Sequence, residues 1–135
     1  MLFRSRTSAA VTSDPPLDSL RPVATAADVR SLIAEAAEIF VEESVNRYVV
    51  ALLRHTRSDG RLYLGASPRS GIALLRVAKA RALGSGRDYL LPDDVKAVAR
   101  PVLAHRLILA PEARSGGLTA GDVVREALDK TPVPV

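Results

Sequence analysis

The sequence contains no cysteine, and its aromatic residues are limited to three tyrosines and two phenylalanines. Without thiols the chain has no disulfide, thiolate metal site or cysteine nucleophile, which fits a reducing cytoplasm. With so few aromatics, the core must be built from Ala, Leu, Val and Ile, a diet suited to close-packed helices rather than aromatic-rich strands. Lysine is scarce too: Lys79, Lys96 and Lys130, none of which follows a glycine. A phosphate-cradling P-loop requires a glycine-lysine pair, so this sequence carries no such loop. No apolar run approaches the roughly 18 residues of a membrane helix, and the first residues lack the apolar stretch of a secretory signal. Arg4 and Arg6, among Ser and Thr with no acid before Asp14, read as part of a tail or linker.

What is present is one domain's worth of chain: 135 residues, 47% apolar and 25% charged, with a formal charge of +4. Most of the positive charge is arginine, whose planar guanidinium pairs with phosphate or carboxylate. A basic balance alone does not choose between nucleotide, nucleic acid and acidic protein partners.

Residues 1–24 are polar and broken by Pro15, Pro16 and Pro22; Leu17, Leu20 and Val23 could pin this strap to a surface. The helical region, 25–135, opens with Thr25 as N-cap and Asp28 in the first turn. Val29, Leu32, Ile33, Ala36 and Phe40 follow on one helical face. A second helix is predicted from near Glu42 to Ser58-Asp59-Gly60, with Val45, Tyr48, Val49, Leu52 and possibly Leu53 inward. Arg61 to Gly65 reads as a short extended connection.

Ser67-Pro68 is the strongest helix start, serine capping and proline taking the first helical position. The third helix is apolar nearly all round from Ile72 to Leu83, so it is expected to be central, and Gly84-Ser85-Gly86 ends it. Pro92-Asp93-Asp94 opens a fourth helix with Val95, Val98, Ala99, Val102 and Leu103 as its buried stripe. Pro101 should kink or break it. Thr119 to Asp122 caps a last helix carrying Val123, Val124, Ala127 and Leu128. The expectation is an all-α bundle of about five helices after an irregular N-terminal segment.

His55 and His105 fall on different helices without carboxylates at ligand spacing, and read as ordinary surface or half-buried histidines. Asp93 and Asp94, adjacent and so pointing apart, read as helix-start charges. Arg69 differs. A cation in the first turn meets the positive end of the macrodipole, a mismatch of about 0.3–1 kcal/mol. An anion seated between the free N–H groups and the guanidinium would remove that cost, and such a guanidinium could stabilise a transferring phosphoryl group. An exposed arginine with its stem packed on the surface is the plainer alternative.

Taken in order, Pro16-Leu17-Asp18-Ser19-Leu20-Arg21-Pro22-Val23, Thr56-Arg57, Leu64-Gly65-Ala66-Ser67-Pro68-Arg69, Gly86-Arg87-Asp88-Tyr89, Pro92-Asp93-Asp94-Val95-Lys96 and Val102-Leu103-Ala104-His105-Arg106-Leu107 resemble the C-terminal lid of the MoxR family of AAA+ ATPases. The resemblance implies a helical lid beside a nucleotide-binding core, with 1–24 as linker or the end of that core and Met1 internal to a longer protein. It implies that Arg69, supported by Ser67 and Pro68, is the second-sensor arginine reaching the ATP γ-phosphate, within one subunit or across to its neighbour. ATP and magnesium would be bound only with the core, and the lid alone would be inactive. The implied partners are that core, further copies in a hexameric ring, and a von Willebrand factor A-domain protein; the role is chaperone-like remodelling. Leu91 departs from the family, which has a threonine cap there.

A second reading is a small basic histone-fold-like DNA-binding domain, or a protein-interaction domain. Short helix, long apolar helix and Gly86 to Val95 have a histone-like outline, but no recognition-helix motif or stacking aromatics accompany it.

Overall fold

The computed structural model describes residues 20–134. Leu17 of the proposed strap lies outside the described residues, and Leu20 and Val23 are exposed rather than pinned. Among the described residues six α-helices make up nearly all of the regular structure: α1 (Ala26–Glu38), α2 (Glu43–Arg57), α3 (Pro68–Gly84), α4 (Pro92–Leu103), α5 (Pro111–Ser115) and α6 (Ala120–Lys130). The bundle is therefore mainly helical, as expected, with one short helix more. Two short strands, β1 (Leu62–Leu64) and β2 (Ile108–Leu109), pair antiparallel, Leu62 opposite Leu109 and Leu64 opposite Ile108. The extended connection foreseen at 61–65 is real; its pairing partner was not foreseen.

Caps set the helix starts where the sequence suggested. Thr25 and Asp28, and again Thr119 and Asp122, form reciprocal capping boxes, each hydroxyl accepting from the third helical N–H. α4 begins at Pro92 without a capping hydroxyl at Leu91, but Asp94 Oδ2 accepts from Leu91 N at 3.0 Å. Pro101 neither breaks nor ends α4. The helix runs on to Leu103, and only then tightens into a 3-10 turn at Ala104–Arg106.

α4 packs on α2, α3 and α6, and α2 on α3 and α6, around Leu52, Leu74, Val95, Leu103 and Val124, all fully buried. Removing each such side chain from water contributes about 1.5–3 kcal/mol. Inside this core Tyr48 is buried with no partner for its hydroxyl. Desolvation, and after it the Asp93 charge, pushes its ionisation upward, so it stays a neutral phenol. Tyr48→Phe removes an unsatisfied polar group and keeps the ring, and we expect it to raise the urea midpoint, by about 1 kcal/mol of stability.

α1 corrects the sequence expectation. Val29, Leu32 and Ile33 share a face, yet they are 49%, 52% and 65% exposed, and no residue of the helix is buried. Phe40 is not on the helix: the backbone leaves it at Ile39, which turns into the core instead. Phe40 N donates to Asp88 O and Leu90 N to Phe40 O, a parallel bridge to Tyr89 that ties the α1–α2 link to the α3–α4 link. Lys79 Nζ reaches from α3 to Ala37 O at 2.7 Å, near the negative end of the α1 dipole. α3 is central but not buried all round, since Ile72 and Val77 remain exposed.

The histone-like outline does not form. α3 has 17 residues against 15 in α2, so no long central helix is flanked by short ones. The chain reverses after α3 at Gly86, whose φ of 72° is a left-handed conformation suited to glycine.

Candidate functional site

The start of α3 is held by contacts that begin on α2. Thr56, fully buried, donates its hydroxyl to Leu53 O at 2.8 Å and accepts from Ala66 N at 3.1 Å. One group thus satisfies itself within its helix and fixes the backbone just before Ser67. Gly65 lies so close to the end of α2 that a Cβ there would stand 2.7 Å from Arg57 Cα and from Thr56 O. Only glycine allows this approach. Neither role is evident from spacing along the chain; the local signals are a hydroxyl in the last turn of an apolar helix and a glycine just before a capped one.

Ser67, Pro68 and Arg69 then fall where expected. Ser67 Oγ accepts from Ser70 N at 3.3 Å, and Pro68 is the first residue of α3. Ser70, itself buried, lies 3.1 Å from Ser67, hydroxyl to hydroxyl. Arg69 is exposed and makes no ion pair or side-chain hydrogen bond among the described residues. Its guanidinium is free to meet an anion at the positive end of a 17-residue helix. Thr56→Val keeps the volume near constant but strands the buried Ala66 N–H, and we expect a loss of about 1–3 kcal/mol in thermal or urea unfolding.

The other end of α3 carries a second arrangement that the sequence reading missed. Asp94, a helix-start charge in the first turn of α4 as expected, is also buried and accepts two 2.7 Å hydrogen bonds from Arg87, with Arg81 Nε 3.4 Å away. These cations, together with the Leu91 N–H, hold its carboxyl below the usual carboxylate range. Arg87 also donates to Tyr89 O at 3.1 Å. At the far side, Arg61 bridges Asp59 and Glu126, 2.8 Å from each, fastening β1 to α6; its hydrogen bonds lower Asp59 to about 2. Both clusters are internally paired and serve structure.

His55 is half-buried on α2, and exposed His105 has Nδ1 3.1 Å from Pro101 O. Among the described residues no three His, Cys, Asp or Glu side chains converge as metal ligands, and no helix is long and apolar enough to cross a membrane.

Helix order, a capped α3 with an exposed arginine in its first turn and the small β1–β2 ribbon define a small, mainly helical domain. The family model described as the AAA lid domain matches residues 54–127, which span α3, α4 and the ribbon. The chain belongs to the AAA lid domain family.

Its likeness within that family is to MoxR proteins and their relatives. YeaC of Bacillus subtilis is 38% identical over 89% of this chain, and Chaperone MoxR1 of Mycobacterium tuberculosis is 31% identical over 84%. Protein MoxR of Methylorubrum extorquens is 42% identical over 52% of the chain. The crystal structure of a putative ATPase from Cytophaga hutchinsonii superposes with a TM-score of 0.76 at 33% identity, over 81% of this chain. The chain spans only 38%, 33% and 21% of the lengths of those three relatives, and 36% of the crystallised ATPase.

Proposed function

We propose that this domain is the lid of a MoxR-type ATPase and that Arg69 is its second-sensor arginine, reaching the γ-phosphate of ATP held by a nucleotide-binding core. The carrying observation is the exposed, unpaired guanidinium in the first turn of α3, on a backbone fixed by Thr56 and Gly65. Ser67 and Pro68 support the site by fixing the helix start. A triphosphate suits this end of the domain, because free N–H groups, the macrodipole and the guanidinium all favour negative charge. The described residues present no carboxylate cluster for magnesium, so its ligands would come from the core.

On this reading residues 1–24 are the linker or the end of that core, residues 25–135 are the lid, and the lid alone does not hydrolyse ATP. The whole protein would act in the cytoplasm as a hexameric ring with a chaperone-like remodelling role, alongside a von Willebrand factor A-domain partner. The name Chaperone MoxR1 of the mycobacterial relative supports the remodelling role.

The test is Arg69→Ala in the polypeptide that joins lid and core. ATP turnover should fall severalfold while the melting temperature holds, since Arg69 is exposed. Unchanged turnover removes Arg69 from the site.

A further inference from the structure

A shallow groove between α2 and α3 takes in Ala66 and Pro68 at the start of α3, but not Arg69 itself. Its volume is about 380 Å3. Leu53 and Leu75 form its floor, while Val50 and Ile72 stand on its two banks, 47% and 55% exposed. Gly71 keeps it open: a Cβ there would lie 2.6 Å from Leu53 Cδ1, and Leu53 would have to swing aside. From Asn46 to Arg57 the α2 bank extends about 17 Å at the rise of an α-helix, enough for about three turns of a partner helix.

The charge on this groove is of one sign. Arg54 and Arg57, three residues apart and therefore on one side of α2, stand on its rim. Neither makes an ion pair among the described residues, and no acidic side chain lines the groove. By contrast, Arg47, next to Asn46 at the groove's far end, is paired with Glu43. An apolar trough with two unneutralised guanidiniums is the complement of a helix that carries an aliphatic stripe bordered by carboxylates. The ridges of such a helix seat between two packed helices.

We propose that the α2–α3 groove is a docking site for an amphipathic, acidic helix of a partner protein, its aliphatic stripe meeting Val50, Leu53, Ile72 and Leu75 and its carboxylates meeting Arg54 and Arg57. The proposal does not depend on a phosphate role for Arg69.

The probes are two labelled synthetic helical peptides with the same leucine stripe at i, i+3, i+4 and i+7, one flanked by glutamates and the other by lysines. Fluorescence anisotropy against the full chain should give saturable binding of the glutamate peptide, with a Kd on the order of 10 μM, and binding at least tenfold weaker for the lysine peptide. Arg54→Glu with Arg57→Glu should invert that preference. Ile72→Ser should weaken the glutamate peptide about fivefold with an unchanged circular dichroism spectrum, because the side chain is more than half exposed. Ile33→Ser, at an equally exposed apolar position on α1, should change nothing. Equal affinity for the two peptides, no saturable binding, or an equal loss with Ile33→Ser would overturn the proposal. So would sedimentation showing that a second copy of the chain already fills the groove and is released by the arginine reversals.

Discussion

Gly65→Ala should destabilise the domain by about 2–3 kcal/mol, lowering the melting temperature by about 10 °C. The added methyl would sit 2.7 Å from Arg57 Cα and Thr56 O, both backbone atoms at the end of α2. A flexible side-chain tip could rotate away; a helix terminus cannot. Relief therefore requires the 61–66 connection to move off α2, which stretches the 3.1 Å bond from Ala66 N to the Thr56 hydroxyl. Ser67, Pro68 and Arg69 move with it, so in the ATPase the same substitution should also lower turnover. Gly71→Ala is the control. Its methyl meets only Leu53 Cδ1, at 2.6 Å, and that tip can turn, so the cost should be well under half as large. Equal melting temperatures for Gly65→Ala and the wild type would show that α2 and the α3 start are not clamped in this way.

Asp94→Ala should have an effect of similar size, about 3 kcal/mol in urea unfolding, because it breaks an ion pair whose acid is buried and leaves Arg87 beside an empty site. It also takes away the side-chain acceptor for Leu91 N at the α4 start. Asp94→Asn preserves shape and one acceptor, and should lose less. The pH dependence follows from the sign of the shift. The folded carboxyl titrates below its ordinary value of 3.8, so its contribution is complete above that value and is lost as pH falls through the folded pKa. Asp59, held at about 2 by Arg61, loses its contribution between about pH 4 and pH 2. The wild type should therefore weaken steeply below pH 4, and Asp94→Asn should show a shallower acid limb. Parallel acid limbs for the two proteins would mean that the carboxylate is not held by Arg87 and Arg81.

Much of this was legible locally. A capping side chain reads its own next three residues, so Thr25, Ser67 and Thr119 gave the helix starts from sequence alone. The inward face of α2 was equally readable, because Val45, Tyr48, Val49 and Leu52 repeat at helical spacing and all are buried. Arg69 could be singled out by its place in a first turn. The same periodicity misled at α1, where Val29, Leu32 and Ile33 share a face that no described element covers. An apolar stripe states that a face is suited to burial, not that this chain buries it.

Local spacing alone sufficed for the class of fold, the start of each main helix and an arginine at the mouth of α3, because these depend on residues within a turn or two of each other. It took the packed bundle to establish that Thr56 fastens Ala66, that Gly65 must be bare, that Asp94 is the buried partner of Arg87 and Arg81, and that an arginine-rimmed groove stays open between α2 and α3. Each of these is fixed by how segments meet across the bundle, and spacing along one helix carries no record of which neighbour it will meet.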